Sequence, residues 1–194
     1  MKTIKENIVY KYEINKSRFI TTLIRVKSKD EAILELNKIR QKYSDATHNC
    51  YAYIIDDIKK SSDDNEPGGT AGVPMMEVLL KNDINYILCV VTRYFGGIKL
   101  GAGGLVRAYS TSVANALKSA ELIELIDGYK IKINIEYGMQ KQLEYLLKNN
   151  KFTKEYNESV EYIIYSPEEL LSILEQSNFK YEIIKKEKIE LIQN

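Results

Sequence analysis

The stretch Tyr86-Ile87-Leu88-Cys89-Val90-Val91-Thr92-Arg93-Tyr94-Phe95-Gly96-Gly97-Ile98-Lys99-Leu100-Gly101-Ala102-Gly103-Gly104 organises the reading of the whole chain. Residues 86–92 form an apolar run of strand length, which predicts a strand buried on both faces. Residues 104–120 predict a long helix, with Leu105, Ala108, Tyr109, Val113, Ala116, Leu117 and Ala120 on one face. The connection between them, residues 93–103, is rich in glycine. Eight of the ten glycines in the 194 residues lie between Gly68 and Gly104. A chain that places glycine so unevenly requires a special backbone in that window.

Outward from this stretch the elements fall into two groups. Toward the N-terminus, Ile8–Ile14 alternates as a strand and turns at Asn15-Lys16 into a second strand over 18–26. A helix is predicted over 29–43, with Ser28 as its cap and Glu31 completing a capping box. A third strand covers 49–55, a polar loop 56–72, and a helix 74–81 with Pro74 at its first position. Beyond Asp127-Gly128 the order becomes strand 129–137, helix 139–148, strands 152–156 and 160–165, a helix opened by Ser166-Pro167-Glu168-Glu169, and a strand 180–192. That is a split βαβ, or ferredoxin-like, arrangement. The expected organisation is α+β in two domains, 1–126 and 127–194.

Composition excludes several classes. With 28 Lys+Arg against 27 Asp+Glu the net charge is +1, which argues against coating nucleic acid by bulk charge and leaves room for a local basic patch. All five arginines fall within the first 107 residues. No apolar run approaches the roughly 18 residues of a membrane helix, and residues 1–7 lack a signal-peptide core. The expected compartment is the cytosol, with no membrane partner. Cys50 and Cys89 sit in apolar surroundings and read as reduced, buried thiols.

The second glycine loop presents successive backbone N–H groups at the start of a helix, an arrangement suited to an anion. Arg93, Tyr94, Gly96, Gly97, Lys99, Gly101, Gly103, Gly104 and Arg107 are its candidate ligand-binding residues. It is not a P-loop, because Ala102-Gly103 stands where Lys-Ser/Thr is needed. It is not a dinucleotide fingerprint, because Val106 takes the third glycine position. The purely structural reading is a tight turn and close helix packing. The first loop, Ser61 to Gly72, is acidic and also feeds a helix, so Gly69, Thr70 and Gly72 join the candidates. It fails as an EF-hand, since Pro67 stands where a ligand is required. His48, the single histidine, with Asp64 and Glu66, forms the candidate acid/base set; a structural histidine is the plainer alternative. One histidine and two cysteines without finger spacing provide no zinc site. No metal and no cofactor are expected. Tyr51 and Tyr94 are expected to flank the cleft.

These residues carry a resemblance. The motif Asp63-Asp64-Asn65-Glu66-Pro67-x-Gly69-Thr70-Ala71-Gly72-x-Pro74 is followed by Val91-Thr92-Arg93-Tyr94-Phe95-Gly96-Gly97-x-Lys99-Leu100-Gly101-x-Gly103-Gly104-Leu105-Val106-Arg107-Ala108-Tyr109. Together with Ser17-Arg18-Phe19 and Ala46-x-His48-Asn49-Cys50-x-Ala52-Tyr53, it resembles the IMPACT/YigZ family over residues 1 to about 125. The tail is similar to the ferredoxin-like C-terminal domain of bacterial members. Asn65 stands where the family typically has glycine, a substitution that left-handed backbone tolerates. The resemblance implies an N-terminal α/β layer like ribosomal protein S5 domain 2. It also implies eukaryotic relatives that regulate translation by competing for an activator of a stress kinase.

The function expected is a regulatory or binding protein linked to translation, contacting RNA, the ribosome or a translation-associated protein through the glycine-rich cleft. The alternative is an enzyme acting on a phosphorylated or peptide-like small molecule at the same cleft. Oligomeric state is not readable from the sequence.

Overall fold

The computed structural model describes residues 1–191, so Ile192 of the strand expected over 180–192 lies outside the described residues. The chain divides into two compact units, Met1–Ile123 and a second that starts at Glu124. Both mix helix and strand.

The first unit is built on a five-stranded antiparallel sheet in the order β2(Ile8–Ile14), β3(Ser17–Arg25), β6(Ile87–Tyr94), β4(His48–Ile55), β5(Ile58–Ser62). A short strand β1(Lys2–Ile4) hydrogen-bonds away from this sheet, Lys2 N–H to the Asp83 carbonyl at 2.9 Å. Hairpin β2–β3 turns through Asn15 and Lys16, both at positive φ (46° and 62°), with Ile14 opposite Ser17. Such a two-residue turn matches the right-handed twist of the strands it joins. The sheet is covered on both faces. Helix α1(Lys29–Lys42) packs with Leu88 and Val90. Helices α2(Gly72–Lys81) and α3(Gly101–Ser119) pack with Ile87, Cys89 and Val91. This is why β6, at the centre, reads as a continuous apolar run rather than an alternation. It also places Arg93 on the α2/α3 face.

The second unit follows the order β7(Leu122–Ile135), a 3-10 turn at Tyr137–Met139, α4(Gln140–Leu147), β8(Lys151–Tyr156), β9(Val160–Ser166), α5(Glu168–Gln176), β10(Glu182–Glu190). Its sheet order is β10-β7-β9-β8, every pair antiparallel, which is the split βαβ topology. Ile131, Ile133, Tyr162 and Ile164 face Leu143, Leu147, Leu170 and Leu174 of the two helices. No helix among the described residues is long and apolar enough to cross a membrane.

Several expected boundaries move, each for a local reason. The polar loop 56–72 contains β5, a hairpin partner of β4 turned at Asp56-Asp57; its charged residues suit an edge strand. Strand β6 runs through Arg93 and Tyr94, because Thr47 N–H bonds the Arg93 carbonyl and Arg18 pairs with Tyr94. Helix α3 starts at Gly101, so Gly103 lies in its first turn rather than in the loop. Pro74 is the third residue of α2, still within the turn where no amide donor is needed. Strand β7 passes straight through Asp127-Gly128, with Ile189 across from Ile126. Ser166 belongs to β9 and caps nothing; its hydroxyl donates to the Pro167 carbonyl. Ser28 does cap α1, accepting from Glu31 N–H at 3.2 Å, while the Glu31 carboxylate accepts from Lys27 N–H at 2.7 Å.

Candidate functional site

The first loop folds around its own carboxylate. Asp63 accepts from the N–H groups of Gly69 (2.8 Å), Ala71 (2.9 Å) and Gly72 (2.8 Å), so it supplies from nine residues upstream the N-terminal cap that α2 otherwise lacks. Burial raises the Asp63 pKa, but the three backbone donors outweigh it and hold the carboxyl below its usual range. Gly69 has φ +76°, and a Cβ on Gly72 would meet the Ser62 backbone at 2.8 Å. Thr70 donates to the Pro67 carbonyl at 2.6 Å, closing the turn. Asp64 and Asn65 both have positive φ (44° and 67°), which accounts for a residue at 65 that tolerates left-handed backbone. This cradle therefore already holds an anion belonging to the chain.

Asp64 ties the loop to β4. Its carboxylate accepts from Asn49 N–H at 2.6 Å and lies 3.5 Å from the Arg40 guanidinium. Its carbonyl is 2.8 Å from His48 Nδ1. A carbonyl only accepts, so Nδ1 carries the proton and Nε2 is left facing Glu66 at 3.8 Å.

Glu66 is the hub where the two glycine motifs meet. Its Oε1 accepts from Arg93 Nη1 of β6 at 2.6 Å and from the Tyr109 hydroxyl of α3 at 2.8 Å. The Glu66 and Arg93 side chains are only 2% and 6% exposed. The guanidinium lies 5.5 Å from each of the Phe19 and Phe95 ring centres, and Nη2 reaches the Ser17 hydroxyl at 3.4 Å. Cys50 lies 2.9 Å from the Asp63 carbonyl and 3.3 Å from the Tyr109 hydroxyl. Burial pushes the Cys50 thiol up to about 12 and pushes the Tyr109 phenol up as well, so neither is an activated nucleophile.

His48, Glu66 and Arg93 are thus brought together, with Asp64 beside them. The positive charge of Arg93, expected to serve a ligand, is neutralised by Glu66. Tyr51 stacks on Tyr53 and packs with the α1 cluster, on the sheet face opposite Cys50, so it does not flank the cleft. Tyr94 bonds Asp45 at 2.8 Å under the Arg18 guanidinium. Tyr109, Asp63 and Ser17 belong to the cluster without having been singled out in it. Tyr109 carried one usable signal, since a hydroxyl on the buried face of a helix needs a polar partner.

The second loop differs. Gly96 packs so closely on the β2–β3 turn that a Cβ would lie 2.0 Å from the Lys16 carbonyl carbon, and its N–H donates to Ser17 Oγ at 3.2 Å. Gly97 and Gly101 have φ +85° and +70°. The nineteen-residue helix α3 then begins with no side-chain cap and no acidic residue in its first turn. Lys99 and Arg107 are exposed, and among the described residues neither has a carboxylate within ion-pair distance. Residues 84–120 contain no Asp or Glu at all. The first loop supplies its own anion; the second has no carboxylate in its own segment, and the helix that it opens has no acidic residue in its first turn. Among the described residues no cluster of three or more His, Cys, Asp or Glu is placed to hold a metal ion.

Comparison with known proteins matches this arrangement to others. The model of the Impact N-terminal domain matches residues 15–117. The chain is 45% identical over 172 residues to the IMPACT family member YvyE of Bacillus subtilis, covering 86% of this chain and 79% of that protein. It is 39% identical over 140 residues to the IMPACT family member YigZ of Escherichia coli, covering 70% and 69%. A crystal structure of a hypothetical protein superposes with a TM-score of 0.64 at 31% identity, covering 96% of this chain and 98% of the other.

Proposed function

Because the chain belongs to the IMPACT family, we propose that it is a regulatory or binding protein linked to translation, contacting nucleic acid, the ribosome or a translation-associated protein. The contact is made at the glycine-rich start of α3. One observation carries this reading: the start of α3 is uncapped, lies in a segment free of carboxylates from 84 to 120, and has Lys99 and Arg107 exposed beside it. Anionic partners are favoured there by the helix dipole and by both cations. The Glu66–Arg93–Tyr109 cluster contributes by fixing the first loop to β6 and α3, which sets the course of the chain into the second loop.

Co-sedimentation of the full chain with ribosomes, measured across a salt series, tests the reading. Association should weaken with salt and fall at least tenfold in Lys99→Glu/Arg107→Glu. No association at low salt, or association indifferent to both charge reversals, would overturn it.

A further inference from the structure

The surface that surrounds Lys99 and Arg107 is not purely cationic. Phe95 and Ile98 are each 45% exposed and Val106 is 37% exposed, all within thirteen residues of chain. On α3, Gly103, Val106 and Arg107 share one helix face by their i, i+3, i+4 spacing, opposite the buried Leu105, Ala108 and Tyr109. Gly103 has no positive φ, and apart from its own turn of helix nothing lies within 4 Å of where its Cβ would stand. A helical glycine costs about 1 kcal/mol against alanine, and nothing inside the chain accounts for this one. Its effect is a low surface that another backbone can approach closely.

We propose that residues 95–107 dock an acidic amphipathic segment of a partner protein. The partner's apolar side chains lie against Phe95, Ile98 and Val106, and its carboxylates face Lys99 and Arg107. The proposal rests on the translation-linked reading above and names the kind of partner that this site takes. Charge complementarity selects the occupant. Residues 95–107 offer two exposed cations and no carboxylate of their own, so an acidic segment is attracted and a basic one repelled. An apolar centre with charges beside it is the anatomy of a protein interface. A nucleic-acid backbone fits less well: two cations neutralise about two phosphates, which is a small electrostatic contribution, and Ile98 and Val106 provide no stacking face. A second copy of the chain docked symmetrically on the same surface would set Lys99 and Arg107 against themselves.

The test places a photo-crosslinking benzoylphenylalanine at position 98 of the full chain, expressed in cells, with the same group at the exposed Leu34 of α1 as control. The crosslinked segment is identified by mass spectrometry. The expected product is a protein segment of net negative charge with interspersed apolar residues. It should be absent from the control and reduced at least tenfold by Lys99→Glu/Arg107→Glu. Its formation should return when the identified acidic residues are changed to Lys. Crosslinking to RNA would overturn the acidic-segment inference and leave the translation-linked site standing. Crosslinking to a second copy of this chain, or to a segment indifferent to the charge reversals, would overturn the inference. A folded chain that crosslinks to nothing at position 98 would overturn both.

Discussion

Glu66→Ala removes the one carboxylate that compensates Arg93, and the structure sets the scale of the loss. The Arg93 side chain is 6% exposed and lies between Phe19 and Phe95, with its Nε already lacking a partner. After the substitution its remaining hydrogen-bond partner among the described residues is the Ser17 hydroxyl at 3.4 Å. Breaking a buried pair by removing one member costs about 3–5 kcal/mol, because an uncompensated charge stays behind. The Tyr109 hydroxyl loses its acceptor too, a further cost of roughly 1 kcal/mol. Relaxation and water entry return part of this, so the net loss is about 3–5 kcal/mol. For a chain of this size each kcal/mol lowers Tm by about 2–4 °C, which amounts to a drop of roughly 6–20 °C. Urea unfolding followed by tyrosine fluorescence supplies the free energy, and calorimetry supplies Tm. A cycle with Arg93→Met isolates the pair: Glu66→Leu/Arg93→Met removes both charges and should be less destabilised than the sum of the single changes by more than about 1 kcal/mol. A loss below about 1 kcal/mol for Glu66→Ala, or simple additivity in the cycle, would refute the view that this pair holds the two loops together.

Two glycines seven residues apart should behave oppositely. Gly96→Ala places a Cβ 2.0 Å from the Lys16 carbonyl carbon and should destabilise by at least about 3 kcal/mol, whereas Gly103→Ala enters open space and should leave stability unchanged or raise it by up to about 1 kcal/mol; thermal melts of the two variants decide. The Asp63 pKa is lowered on folding, so its stabilisation is present above the unfolded-state pKa and is lost as pH falls through the folded one. Stability measured from pH 5 downward should therefore fall less steeply in Asp63→Asn, and an unchanged slope would contradict that assignment. Both thiols are buried, with the Cys50 thiol pushed up to about 12, so the native chain should leave both unreacted with an aromatic disulfide reagent at pH 8 and expose both in guanidinium. Rapid labelling of Cys50 in the native state would contradict the packing of β4 against the first loop.

The elements that follow from local pattern were readable because neighbours along the chain decide them. The apolar periodicity of α1 with its Ser28 cap, the Asn15-Lys16 turn and the βαββαβ order after residue 128 are of that kind. Boundaries that depend on distant partners were not. Strand β5 forms because β4 offers it an edge, and β7 continues through Gly128 because Ile126 and Gly128 have partners in β10 some sixty residues on. Within the site, the two glycine motifs and the residues His48, Glu66 and Arg93 stand out in the linear chain by residue type, and the structure brings these three side chains together from β4, the first loop and β6. Their allocation was out of reach. Positive charge at Arg93 and the N–H groups of Gly69 and Gly72 look available for a ligand in the linear chain, yet Glu66 and Asp63 already occupy them.

By itself, then, the sequence determined the two-part organisation, the concentration of glycine at two helix starts and the family. Tertiary structure alone decided which of those starts is satisfied internally. The reason is physical: a backbone N–H or a guanidinium has a fixed capacity, and whether a carboxylate of the same chain fills it depends on where the loop bearing that carboxylate comes to rest. Asp63 and Glu66 come to rest within 3 Å of their donors, and among the described residues no carboxylate is within hydrogen-bonding distance of Lys99 or Arg107.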